Sequence, residues 1–134
     1  MIAMIGQGLK MVVLDDEKDI GHFIKEFFTR RGFDVHTALT ARSAMGLVKK
    51  IKPDIALLDI RLSKGKMDGV DVLKFIKKKQ PHCCCVMVSY LDDDKLIREL
   101  KKIGIKDYLI KPLTFHKIER VIKKITAKIR KRKK

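Results

Sequence analysis

The sequence predicts an α/β fold, a doubly wound parallel sheet of five strands with helices on both faces. Three observations carry this expectation. Strand-like and helix-like patterns alternate five times along the 134 residues, which implies right-handed crossovers and a three-layer parallel sheet. Two strand candidates, residues 55–58 and 83–88, are apolar throughout, the pattern of strands covered on both faces. Gly32, Pro53, Pro81 and Gly104 each follow a helix-like stretch and punctuate its end.

The elements follow in order. Lys10–Leu14 is a short apolar run ending in acids and reads as the first strand. Ile20, Phe23, Ile24, Phe27 and Phe28 recur at helical spacing, with the three phenylalanines expected in the core. Residues 33–38 suit a second strand. Ala41, Ala44, Met45, Val48 and Ile51 make an amphipathic helix that Thr40 can cap. After the strand at 55–58, Asp68 can cap a helix that turns Val70, Leu73 and Ile76 inward. After the strand at 83–88, Asp92 or Asp93 opens a helix carrying Leu96, Ile97, Leu100 and Ile103. Residues 106–110 form the fifth strand. Thr114 caps a last helix with Phe115, Ile118, Val121, Ile122, Ile125 and Ile129 along one side.

Composition narrows the function classes. Hydrophobic residues make up 46% of the chain, a globular rather than a disordered composition. No apolar run approaches the ~20 residues that span a bilayer, and Met1–Leu9 lacks the basic start and the length of a secretory signal. A cytoplasmic location without membrane contact is the expectation. Cys83, Cys84 and Cys85 are consecutive, so neighbours on a strand face opposite ways and cannot converge on one metal. They read as small buried hydrophobes in a reducing compartment. The Gly6-Gln7-Gly8 pair precedes a strand instead of following one and is no dinucleotide fingerprint. Of the net charge of +16, half sits in residues 123–134, which hold eight basic and no acidic side chains. Such a cluster suits nucleic acid or an anionic surface; a solvated helix end or the start of a linker is the reading we favour.

The informative polar residues stand at strand ends. Asp15 and Asp16 follow the first strand, Asp59 the third, Ser89 the fourth and Lys111 the fifth. Open parallel sheets bind ligands at the carboxyl ends of their strands, where the strand order reverses. With the order 2-1-3-4-5, Asp16 and Asp59 end adjacent strands, Ser89 ends the next, and Lys111 reaches in from one strand further. Three carboxylates held that close repel. At about 4 Å and an effective dielectric near 20, each pair costs on the order of 4 kcal/mol. Mg²⁺ suits one or two carboxylates plus waters. It would also offset charge on an incoming phosphoryl group, whose transfer needs mainly positioning and charge stabilisation. Asp59 would then be the nucleophile and form an acyl phosphate.

With these residues in view, the sequence resembles the receiver domains of two-component response regulators. The motifs are Val12-Val13-Leu14-Asp15-Asp16-Glu17, Leu57-Leu58-Asp59, Met67-Asp68-Gly69, Val88-Ser89 and Asp107-Tyr108-Leu109-Ile110-Lys111-Pro112. Any one is weak; all five in order at compatible spacing are highly specific. The resemblance supplies the flavodoxin-like strand order 2-1-3-4-5. It divides the chain into an N-terminal extension (1–9), a receiver domain (10–126) and a basic C-terminal tail (127–134). It implies that Asp59 accepts phosphate from a phosphohistidine on a partner kinase. Asp16, Asp59 and the backbone carbonyl of Arg61 would hold Mg²⁺, with Asp15 acting through water. Ser89 would donate to the phosphoryl group and Lys111 pair with its charge. Lys111-Pro112 is expected to be cis, since the trans preference before proline is only about 0.5–1 kcal/mol. Ser89 and Tyr108 would form the switch, acting on the surface of the fourth helix, fifth strand and last helix. The implied protein is a signalling receiver that catalyses only its own phosphorylation and dephosphorylation. Its implied partners are a histidine kinase or phosphotransfer protein and a downstream target or linked output domain, with a homodimer left open.

Some residues depart from the family pattern. Tyr90 follows Ser89 where Ala or Gly is usual, and its ring could crowd the pocket. Arg61 and Leu91 occupy positions that tune phosphate lifetime in the family. The loop from Asp59 to Gly69 has Ser63-Lys64-Gly65-Lys66 in place of the common proline and is about two residues longer than usual in the family. Two other function classes fit less well. An aspartate-nucleophile phosphatase of the haloacid dehalogenase type needs a second carboxylate two residues after the nucleophile, where Arg61 stands. A phosphorylation-independent binding module, contacting nucleic acid through the basic tail, would have no need of all five pocket residues.

Overall fold

Side chains alternate across a strand, so each strand here serves two cores at once. The computed structural model describes residues 2–62 and 67–133. Its elements are β1 (Lys10–Leu14), α1 (Lys18–Thr29), β2 (Asp34–Ala38), α2 (Ala41–Ile51), β3 (Ile55–Asp59), α3 (Gly69–Lys79), β4 (Cys84–Ser89), α4 (Asp94–Ile103), β5 (Asp107–Ile110) and α5 (Phe115–Arg132). All strand pairs are parallel and the order is β2-β1-β3-β4-β5. The doubly wound, flavodoxin-like sheet is therefore the observed fold.

Met11, Val13, Ile55, Leu57, Val86 and Val88 face α1 and α5, packing on Ile24, Phe28, Ile118 and Ile122. Their neighbours Leu14, Ala56, Leu58, Cys85 and Met87 face the other way, onto Val48, Val72, Leu73, Ile76 and Leu100 of α2, α3 and α4. The uninterrupted apolar runs in the sequence are this two-sided burial. Cys83, Cys84 and Cys85 are free and buried among these side chains.

Helix ends follow local chemistry. Thr40 accepts from Ser43 N, Asp93 from Leu96 N, and Thr114 from Lys117 N. Asp68 and Asp71 form a reciprocal capping box at the start of α3, satisfying donors that the first turn leaves without partners. Gly32 and Gly104 take φ of +94° and +119° after α1 and α4, a region that side chains with a Cβ rarely enter.

Three packing expectations need correction. Phe23 is 41% exposed, its ring tilted against Phe115, itself 48% exposed; helical spacing places them at the rim of the apolar stripe, not inside it. In α3 the buried residue is Val72, while Val70 only packs at the margin. Residues 127–132, set apart by composition as a basic tail although helical spacing already placed Ile129 on the last helix, are the final turns of α5. Ile129 is 1% exposed in the α1/α5 core, and Arg130 donates to the carbonyls of Ile5 and Gln7. Lys133 pairs with Asp54 at 3.2 Å. The loop residues 63–66, for which an extended length was expected, lie outside the described residues. No helix among the described residues is long and apolar enough to cross a membrane.

If the end of α5 belongs to the folded unit, Ile129→Ala opens a cavity in it. Urea unfolding is expected to show a loss of about 2–5 kcal/mol, against near-zero loss for a frayed tail.

Candidate functional site

The sheet register assembles the pocket. Leu14 pairs with Leu58, so Asp15 and Asp59 are next to each other across β1 and β3. Asp59 pairs with Val88 and Ser89 with Ile110, which sets Ser89 and Lys111 one step further along the carboxyl rim. By alternation, Asp15, Asp59 and Lys111 continue the rows of Val13, Leu57 and Leu109 towards the α1/α5 side. The three side chains meet there.

Lys111 Nζ donates to Asp15 Oδ2 at 2.9 Å and to Asp59 Oδ2 at 3.1 Å. Glu17 Oε1 lies 3.5 Å from the same nitrogen. Asp15, Asp59 and Lys111 are 3%, 6% and 5% exposed, so these charges interact with little solvent between them. Asp15 also accepts from Glu17 N at 2.9 Å, which fixes the turn leaving β1. Gly69, the first residue of α3, packs on the β3 end so closely that a Cβ there would collide with the Asp59 carbonyl.

Asp15, Asp16 and Asp59 each offer a carboxylate oxygen, all within 4.8 Å of one another. An all-oxygen, anionic donor set of this kind fits a hard divalent cation and fits no soft metal. One ammonium does not balance the carboxylates. Burial pushes the Asp59 carboxyl up to about 6; Lys111 opposes this, and the charges of Asp15 and Asp16 add to it. Burial works against the Lys111 ammonium, but its bonds and charge attraction to Asp15 and Asp59 hold it above the ordinary lysine range. The excess negative charge is the chemical capacity of the site.

The other expected residues ring this centre. A cavity of about 370 Å³ is lined by Asp16, Asp59, Arg61, Ser89, Tyr90 and Leu91, among others. Ser89 Oγ accepts from Leu91 N at 3.1 Å, and Tyr108 Oη donates to Leu91 O at 2.8 Å. Both side chains thus grip one residue of the β4–α4 loop. Tyr90 is 63% exposed, its ring centre 5.2 Å from Lys111 Nζ; it covers the lysine from outside and does not fill the pocket. The Lys111–Pro112 bond is cis. Sequence reasoning assigned no role to Glu17 or to the close approach of Gly69. Both lie inside quoted motifs, but a glycine gives no sign of which backbone it touches, and Glu17 is recognisable only once Lys111 is placed.

Comparison with known proteins agrees with this geometry. The chain is 28% identical over 120 residues to the chemotaxis protein CheY of Thermotoga maritima, covering 89% of this chain and 98% of that protein. It is 26% identical over 115 residues to the regulatory protein AtoC of Escherichia coli, covering 86% of this chain but only 24% of that one. Among solved structures, a chain of the CheX-CheY-BeF3-Mg²⁺ complex of Borrelia burgdorferi superposes with a TM-score of 0.81 at 25% identity, covering 89% of this chain and 90% of that one. Residues 11–123 match the response regulator receiver domain family. With its sheet order, its acidic rim and this match over most of its length, the chain belongs to the response regulator receiver domain family of two-component signalling.

Proposed function

We propose that the protein is the phosphoaccepting receiver of a two-component phosphorelay, located in the cytoplasm, with Asp59 taking the phosphoryl group from a histidine kinase or phosphotransfer protein. The observation that carries this reading is the convergence of Asp15, Asp16 and Asp59 on one point beside the buried Lys111. A carboxylate oxygen of Asp59 attacks phosphorus, the P–N bond to the donor histidine breaks, and the imidazole nitrogen leaves with its electron pair and gains a proton. The acyl phosphate stays on Asp59.

Asp16, Asp59 and the Arg61 backbone carbonyl would hold Mg²⁺, with Asp15 acting through a water. When bound, the cation supplies charge neutralisation for the carboxylates and the phosphoryl oxygens. The Borrelia burgdorferi complex, in which the similar CheY is accompanied by BeF3 and Mg²⁺, supports this choice of metal. Asp15 keeps Lys111 aimed at Asp59, and Lys111 can transfer its second hydrogen bond from the carboxylate to a phosphoryl oxygen. Ser89, 2% exposed at the end of β4, would donate to another.

The shared hold on Leu91 supports a switch. Drawing Ser89 towards the phosphoryl group removes its bond to Leu91 N and leaves Tyr108 as the sole tie of the two. A local charge change thereby biases the surface formed by α4, β5 and α5. A downstream protein or a linked output domain would read that surface. Arg61, Tyr90 and Leu91 stand where they can tune phosphate lifetime.

The test is direct. Incubated with Mg²⁺ and acetyl phosphate, the protein is expected to gain one phosphoryl group by intact mass, with none gained in chelator or by Asp59→Asn. Addition that persists in Asp59→Asn would reject the assignment. Because Tyr90 covers Lys111 from the solvent side, Tyr90→Ala should speed phosphorylation or its decay severalfold by the same mass assay; unchanged rates would remove the steric role.

A further inference from the structure

A second polar cavity lies on the other side of the molecule, at the amino ends of β4 and β5. It measures about 240 Å³; Val121, Ile125, Ile129 and Cys84 form an apolar floor, and Lys106, Lys124, Lys128 and Arg132 line it with positive charge. Asp107 is the sole acid among the lining residues, and its Oδ1 already accepts from Tyr108 N at 2.8 Å. Among the described residues, none of the four cations has an ion-pair partner. Arg132 is held by a hydrogen bond to the His82 carbonyl at 3.4 Å, and the others are exposed.

The bland explanation for basic residues late in a helix is the helix dipole. It covers Arg130 to Lys133 but not Lys124 and Lys128, because the effect fades within the last turn, and it does not reach Lys106, which is outside the helix. Neighbouring cations at i, i+4 weaken a helix, and Lys124, Lys128 and Arg132 repeat that spacing without an acid between them to offset it. Three positive charges stand about 6 Å apart along the axis. A row of this kind suits a chain of regularly spaced anions.

We propose that this groove binds the phosphate backbone of a nucleic acid without sequence preference. Lysines act as point charges towards phosphate, and backbone contacts carry no base information. The net charge of +16 would draw a polyanion from a distance. A lipid surface fits less well: Phe115 is the only exposed large hydrophobic residue on α5 among the described residues, and it sits at the far end of the helix. The groove shares no lining residue with the Asp59 pocket, so the unphosphorylated chain is expected to bind.

The test uses the full chain and a labelled 20-base-pair DNA duplex, with single-stranded RNA, phosphatidylglycerol vesicles and polyglutamate as comparison arms. Contacts to three or four phosphates predict that log K falls against log salt with a slope of about −3 to −4 on duplex DNA. Lys124→Gln with Lys128→Gln should flatten that slope by about 2 and weaken binding about tenfold or more at 0.1 M salt, with the melting temperature unchanged or slightly raised as like-charge repulsion is relieved. Lys106→Gln, off the helix, should give a smaller loss, while Lys74→Gln with Lys78→Gln and Asp59→Asn should bind as the parent does. No binding at low salt, equal binding by the Lys124/Lys128 variant, or tighter retention by vesicles or polyglutamate than by nucleic acid would each overturn the proposal.

Discussion

The buried Lys111 ammonium, shared between Asp15 and Asp59, is the interaction on which the rest of the site depends. Its bonds of 2.9 and 3.1 Å join the ends of β1, β3 and β5. A lysine this deeply enclosed would ordinarily lose its proton; here the surrounding carboxylates keep it charged. Those carboxylates in turn outnumber it, with Asp16 and Glu17 close by. The site holds together while carrying excess negative charge, which suits the proposed binding of a cation and a phosphoryl group.

That electrostatic arrangement rests on rigid backbone. The parallel register fixes Asp15 and Asp59 side by side, and two separate cores clamp the sheet from both faces. The close packing of Gly69 against Asp59 anchors α3 at the same place. By contrast, the β4–α4 loop is held by a few polar bonds, among them those from Ser89 and Tyr108 to Leu91. A rigid pocket beside a loosely held loop is how a charge change at one point can be expressed at a surface nearby. At the amino ends of β4 and β5 the chemistry is different, with four cations beside the single acid Asp107.

Much of this was legible in the sequence, for reasons that can be stated. Two-sided burial writes itself as unbroken apolar runs, so residues 55–58 and 83–88 were recognisable as covered strands, observed as Ile55–Asp59 and Cys84–Ser89. Polar residues directly after such runs had to sit at the carboxyl rim, which located Asp15, Asp16, Asp59, Ser89 and Lys111. Caps at Thr40, Asp68 and Thr114 are local chemistry and were read locally; of the two candidates Asp92 and Asp93, the structure uses Asp93. What periodicity could not resolve was depth within an apolar stripe: Phe23 and Phe115 lie against each other near the surface, and Val72 is buried where Val70 was expected. The boundary drawn after residue 126 followed the basic composition, whereas helical spacing had already put Ile129 on the stripe of the last helix, where it is buried. Contacts between backbone and glycine, as at Gly69, have no sequence signature of their own.

The central claim is that the pocket carries more negative charge than Lys111 can balance, and Asp59 reports it. A carboxyl raised from 3.8 to about 6 on folding binds its proton more tightly in the folded chain. Its contribution to stability must therefore fall as pH rises through that window. The decisive measurement is urea-unfolding stability from pH 3.5 to 7.5 for the parent protein and Asp59→Asn, in chelator and in saturating Mg²⁺ at matched ionic strength. In chelator, the parent should lose stability relative to Asp59→Asn between about pH 4 and 6, and Mg²⁺ should abolish or reverse that loss. Parallel profiles for the two proteins in chelator, or a parent profile that Mg²⁺ leaves unchanged, would contradict the account.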